Sequence, residues 1–296
     1  MKTLSIPVRI VGAGSQPEDE ALQYLNIPRE MNTFQMPSAP REVAAEALAE
    51  SRDVLAEFLD ALEPWDPGSS VPGPCLNVSG ISPAALGITN EMLGEGEVSI
   101  RVNAARTLRI QETVFTGIWR VCEVSVDGEL VSDWIEAGPV PRIVIESALA
   151  PAAPAPASVE MPGGAMNSPA LLQEIQSRMQ DCRPGAPAHV INLTLFPMTP
   201  EDHQVLSRAL PVGPVAIISR GFGNCRITST LARNVWRVQY FNSMNTLILD
   251  TIEVIDVPEA AIAAPEDLAD SRARLAELIV WMGEAGPSDP QPRARQ

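Results

Sequence analysis

Few residues in this chain have the types and spacing that chemistry requires. Cys75, Cys122, Cys182 and Cys225 stand singly with no Cys-x-x-Cys pair, and the only histidines are His189 and His203. That spacing assigns no metal ligands. The most unusual local string is Gly221-Phe222-Gly223-Asn224-Cys225-Arg226, in which glycines flank an aromatic and free Phe222 to project from a tight turn. A thiol-dependent redox step at Cys225 would need a nearby cation or helix N-terminus to stabilise the thiolate. Arg226 is adjacent in sequence, but neighbours on a strand point to opposite faces. Burial is the ordinary fate of such a cysteine. Val11-Gly12-Ala13-Gly14-Ser15 lacks the third glycine of a dinucleotide loop, and Glu18-Asp19-Glu20 follows where a phosphate would want bare amide groups. Carboxylates are plentiful, yet none is spaced against a nucleophile or base. A non-catalytic protein with no bound cofactor is expected.

The elements that position these groups come from an internal pattern. Residues 81–141 lie over residues 198–258 at a constant offset of 117 without a gap. More than a quarter of the paired positions are identical, where random matching would give roughly four pairs. Ser82-Pro83 and Thr199-Pro200 each read as an N-cap followed by proline in the first helical turn. After each helix come alternating segments near 97–102, 107–112, 117–126 and 129–136, with Asp127-Gly128 as a two-residue turn. Met244-Asn245 replaces that pair in the second copy and predicts another or longer turn. Trp119-Arg120 and Trp236-Arg237 recur, so they are expected to be structural: tryptophans anchoring strands, arginines pairing with a repeated acid. Functional asymmetry should lie instead where the copies differ. Glu95, Glu97, Glu112 and Phe115 differ in the first copy, and Phe222, Asn224, Cys225, Arg233 and Tyr240 in the second. Of these, Phe222, Asn224, Cys225, Arg233, Tyr240, Glu95 and Glu97 are the candidate partner-binding residues.

The expected fold is α+β, with two tandem helix–antiparallel-sheet units related by duplication. Residues 1–65 form an N-terminal segment ending in a helix, 66–147 the first unit and 168–262 the second. Residues 148–167 between them are rich in alanine and proline and read as an extended linker. Residues 263–296 hold an amphipathic helix from Pro265 and a polar tail. The net charge of −16 argues against a nucleic-acid surface, which needs clustered Lys and Arg. No stretch reaches 18 apolar residues and Met1–Pro7 lacks the apolar run of a signal peptide, so no membrane insertion and a cytoplasmic location with reduced thiols are expected.

Three stretches make the chain resemble a known family. They are Gly223–Thr230 running through Asn234–Met244 to Leu247–Val254, then Leu93–Val98 with Glu112–Val121, and the N-terminal Gly12–Pro28 with Thr33–Pro37. Together they are similar to the HupH/HyaF family of [NiFe]-hydrogenase maturation proteins over nearly the whole length. The resemblance implies an accessory protein that holds the immature iron–sulfur small-subunit precursor before twin-arginine export and assembly, with other hydrogenase accessory proteins as further partners. It carries over no catalytic residue. The alternatives in the same pathway are a metal or iron–sulfur carrier using Cys225 and Cys182 with a histidine, or a thiol-dependent redox factor.

Overall fold

Period-two alternation is the physical origin of this architecture. In β2 (Val98–Asn103), β3 (Thr107–Glu112) and β4 (Ile118–Val124), Val98, Ile100, Val102, Leu108, Ile110, Trp119 and Val121 all turn to one side. The remaining strands are β1 (Cys75–Asn77), β5 (Leu130–Ala137), β6 (His189–Asn192), β7 (Val212–Ser219), β8 (Asn224–Thr230), β9 (Val235–Phe241) and β10 (Leu247–Val254). The computed structural model describes residues 45–69, 71–221 and 223–284. The Val11–Ser15 turn, the N-terminal family runs, Phe222 and the polar tail after 284 lie outside the described residues.

All ten strands form one antiparallel sheet in the order β1-β5-β4-β3-β2-β7-β8-β9-β10-β6. This corrects the expectation of two separate units. β2 and β7, the strands that would have been sheet edges, pair from Val98↔Ser219 to Val102↔Val215 and fuse the halves. Exposed edges present unmet N–H and C=O groups, and joining them removes that liability.

Six α-helices are described: α1 (Ala45–Leu62), α2 (Pro83–Leu93), α3 (Arg142–Leu149), α4 (Ser168–Asp181), α5 (Pro200–Ala209) and α6 (Pro265–Glu284). On one face of the sheet, Val140, Val144 and Ala148 around α3, with Val257 and with Ala261 of the 3-10 turn Glu259–Ala261, cover the central strands. Among the described residues, helices cover the opposite face only at its flanks. Leu55, Phe58, Ile88 and Leu275 of α1, α2 and α6 pack on Ile118 and Ile135. Leu171, Ile175, Val205 and Leu206 of α4 and α5 pack on Val235 and Ile252.

Local chemistry sets the boundaries. Ser82 accepts from Ala85 N and caps α2, while Thr199 and Asp202 form a capping box at α5. The N-cap of α4 is Asn167, and the Ser168 hydroxyl that follows donates to Asp202. The two long hairpins turn alike, contrary to the expectation of a different second turn. Gly128 N donates to Ser125 O and Asn245 N to Asn242 O, with φ of +85° and +58°. Asparagine is among the few residues that tolerate the left-handed region. The 148–167 segment is bonded along its backbone to the second half, through Ala153 N to Leu231 O, Arg233 N to Ala153 O and Ala157 N to Ala209 O, each 2.8 Å.

Candidate functional site

Most of the residues singled out by their asymmetry meet at one end of the sheet. β7 ends at Ser219, beside the start of β2, so the loop that follows passes Glu97: Arg220 N donates to Glu97 O at 3.1 Å. A Cβ on Gly221 would lie 2.3 Å from Glu97 Oε2, so a larger residue there would require the Glu97 side chain to swing aside. Glu95, Glu97 and Asn224 are exposed. Across the next strands Asn224 faces Phe241, and Phe241 faces Leu247. These positions form a continuous rim. Arg233 is not part of it: it is exposed in the β8–β9 turn, about 20 Å along the strand from Asn224.

Cys225 and Tyr240 are opposite each other on β8 and β9, but they turn inward. Cys225 is 0% exposed, and burial raises its thiol to about 11 despite a hydrogen bond with Tyr240, with Glu253 raising it further. Burial likewise pushes Tyr240 up to about 12, followed by its interaction with Cys225. A thiol held protonated is a poor nucleophile and a poor ligand. Alkylation of native protein at pH 8 should therefore label exposed Cys75 well before Cys225, whose labelling should wait for unfolding. Mass spectrometry of a timed reaction reads this directly, and early modification of Cys225 would show that the thiol is accessible. No group of three or more His, Cys, Asp or Glu side chains among the described residues could hold a metal.

The recurring residues have matched surroundings. Trp119 Nε1 donates to Gly138 O at 2.8 Å, and Trp236 Nε1 donates to Ile255 O at 3.1 Å. Arg120 grips Asp133 with two parallel hydrogen bonds, and Arg237 grips Asp250 at 3.0 and 2.6 Å. Glu112 is a buried acid that accepts from Gly117 N and from the Val98 and Glu97 amides. Burial raises its pKa and that of Glu253, each above the ordinary glutamate value. For both, the protonated form is favoured by folding. The stability they contribute is present below the unfolded pKa and lost as pH rises through the raised one.

With this geometry, the chain can be compared with known proteins. Residues 48–151 and 165–282 match the family described as "HupH hydrogenase expression protein, C-terminal conserved region". This chain belongs to the HupH family of hydrogenase expression/formation proteins. One relative is "Hydrogenase expression/formation protein HoxQ" of Cupriavidus necator, 42% identical over 284 residues, which cover 96% of this chain and 99% of that protein. "Hydrogenase expression/formation protein HupH" of Rhodobacter capsulatus is 38% identical over 270 residues, 90% of this chain and 94% of its own. "Hydrogenase-1 operon protein HyaF" of Escherichia coli is 32% identical over 287 residues, 94% and 98% of the two chains. The first two names describe expression and formation and the third an operon; none names a catalysed reaction. In this HupH-family chain no described helix is long and apolar enough to cross a membrane.

The sequence reading missed two features. One is Asp202, a buried carboxylate that ties two helix starts together; the capping-box spacing from Thr199 was its available signal. The other is a row of arginines on the face opposite the central core, visible in sequence only as alternation in β2, β3 and β8.

Proposed function

We propose that this protein is a chaperone that holds the immature iron–sulfur small subunit of a [NiFe]-hydrogenase before export and pairing with the large subunit. The family supplies the pathway. The observation that carries the binding role is an exposed apolar edge continuous with the candidate rim. Leu247 and Ile248 open β10 at 44% and 57% exposure, and Met244 in the preceding turn is 83% exposed. Leu195, at 78%, lies in the 3-10 turn whose Thr194 hydroxyl accepts from Asp250 N, against the same strand. A cluster of large apolar side chains on so acidic a molecule is a protein contact surface. An unpaired hydrogenase subunit exposes the kind of broad apolar interface that such a surface would shield.

Tagged protein should therefore recover the small-subunit precursor from cells lacking the large subunit, and recover the mature heterodimer poorly. Leu247→Glu with Ile248→Glu should reduce capture about tenfold without lowering the unfolding midpoint, since both side chains face solvent. Equal recovery of precursor and heterodimer would defeat the chaperone reading. Undiminished capture by the double variant would move the contact elsewhere, with Glu95, Glu97 and Asn224 the next residues to replace.

We also infer that the two halves descend from one duplicated unit. In support, the two matched family segments begin 117 residues apart, the offset of the internal alignment. The strand order reads the same from either edge: β1-β5-β4-β3-β2 from one side and β6-β10-β9-β8-β7 from the other. The tryptophan carbonyl bonds, the Arg–Asp pairs and the Gly128 and Asn245 turns are likewise related by 117 residues.

A further inference from the structure

The central strands carry an unexplained charge pattern on the face that no described helix covers. Ser99, Arg101, Arg109, Gln111, Arg226 and Thr228 alternate with the core residues of β2, β3 and β8, so they face away from α3. Among the described residues, helices reach this face only at its flanks and leave a trough over β3-β2-β7-β8. Its two walls each hold a paired arginine, Arg120 with Asp133 and Arg237 with Asp250. Its floor is different. Arg101, Arg109 and Arg226 have no carboxylate partner among the described residues.

Two of these cations are held against their own repulsion. Arg101 and Arg109 are directly opposite each other in the β2–β3 pair, an arrangement that destabilises a sheet when no anion intervenes. Arg226 is two strands from β2 and stacks on the Phe241 ring at 4.4 Å, which orients its guanidinium before any ligand arrives. Arg101 and Arg226 are also half-buried, so their charge is less screened than that of a solvated arginine. The chain has 37 acidic residues, yet among the described residues none is placed on this floor, while each wall arginine received one.

We propose that this trough is the docking site for an acidic, extended segment of a client protein. Guanidinium groups recognise carboxylates through two parallel hydrogen bonds. Neighbouring strands set arginines about 5 Å apart and strands two apart about 10 Å, which suits carboxylates two or three residues apart on an extended chain. Nucleic acid fits poorly: three arginines on a molecule of charge −16 do not make a phosphate-tracking surface. The site is distinct from the apolar rim, and the proposal stands whichever hydrogenase subunit is the client.

The test uses the full chain and a fluorescent eight-residue peptide of alternating glutamate and valine, read by anisotropy at low ionic strength. The peptide should bind, release as salt rises, and lose about tenfold in affinity in Arg101→Gln/Arg109→Gln and in Arg226→Gln. Arg142→Gln, which breaks a pair with Glu146 on the opposite face, should bind normally. Without peptide, Arg101→Gln should raise the unfolding midpoint, because it relieves the facing charges. Binding unchanged in the arginine variants would overturn the proposal. So would equal binding of a lysine–valine peptide, tighter binding of a single-stranded oligonucleotide, or self-association abolished by the same substitutions. A lowered midpoint in Arg101→Gln would show instead that the arginine serves the fold.

Discussion

Replacing Asp202 by alanine is expected to destabilise the protein by about 2–4 kcal/mol, the cost of leaving the buried Ser168 donors and three part-buried amides without their ionised acceptor. Asp202 is 0% exposed. Its Oδ1 accepts from Met166 N at 2.8 Å, Asn167 N at 3.0 Å, Ser168 N at 2.9 Å and the Ser168 hydroxyl at 2.8 Å. Oδ2 accepts from Thr199 N at 3.1 Å, and Thr199 Oγ1 returns a bond from Asp202 N. One carboxylate thus satisfies the first amide of α4 and the two amides leading into it, and closes the capping box of α5, where helix dipoles also favour negative charge. Burial by itself would raise its pKa. The hydrogen bonds from Ser168, Thr199 and Asn167 outweigh that and hold it well below the ordinary value of 3.8. Because the folded pKa is depressed, the contribution is present above the unfolded pKa and lost as pH falls through the folded one. The gap between wild type and Asp202→Asn in urea unfolding should therefore narrow below about pH 4. A cost under about 1 kcal/mol for the alanine variant would mean that water replaces the carboxylate at both helix starts.

Truncation of either tryptophan, Trp119→Ala or Trp236→Ala, should cost about 3–5 kcal/mol, the usual penalty for an aromatic removed from a packed core. Trp119 is 0% and Trp236 2% exposed, and both belong to the cluster that joins the two halves across β2 and β7. Each removal empties a large volume in a sheet that cannot close over it, because neighbouring strands are held at fixed spacing. Phenylalanine should recover most of the packing and leave a smaller deficit of about 1 kcal/mol from the lost bonds to Gly138 O or to Ile255 O and Asp256 O. Chemical unfolding followed by tryptophan emission would measure both series. The shared cluster also predicts one transition for the two halves in each variant, and separate transitions would contradict the packing described.

Alternation, capping and turn chemistry were legible because they are written in neighbouring residues. The strand Thr107–Glu112, the Pro83 and Pro200 helix starts and the Asp127-Gly128 hairpin all follow from side-chain period and backbone preference. Even there, local signals had limits. The helix α3 begins after Pro141 without a side-chain cap and runs through Ile143, Val144 and Ile145, a β-branched string of low helix propensity. It is a helix because Val144 and Ala148 can bury on the sheet centre, a tertiary gain that no local pattern announces.

By itself, the sequence determined the element types apart from α3, the recurring Trp-Arg-Val strands, the inward face of the central strands and membership of the family, since all of these depend on residue order alone. Only the tertiary structure decided that β2 pairs with β7, which turns two expected units into one ten-stranded sheet. That pairing brings Glu97 beside Gly221, buries Cys225 and Tyr240 in a common core and leaves Arg233 at the far end of β8. It also assembles Arg101, Arg109 and Arg226, drawn from both halves, on the face opposite α3. The reason is that strand pairing is fixed by backbone hydrogen bonds available to every residue, so partner choice is set by how whole faces bury and not by any local string.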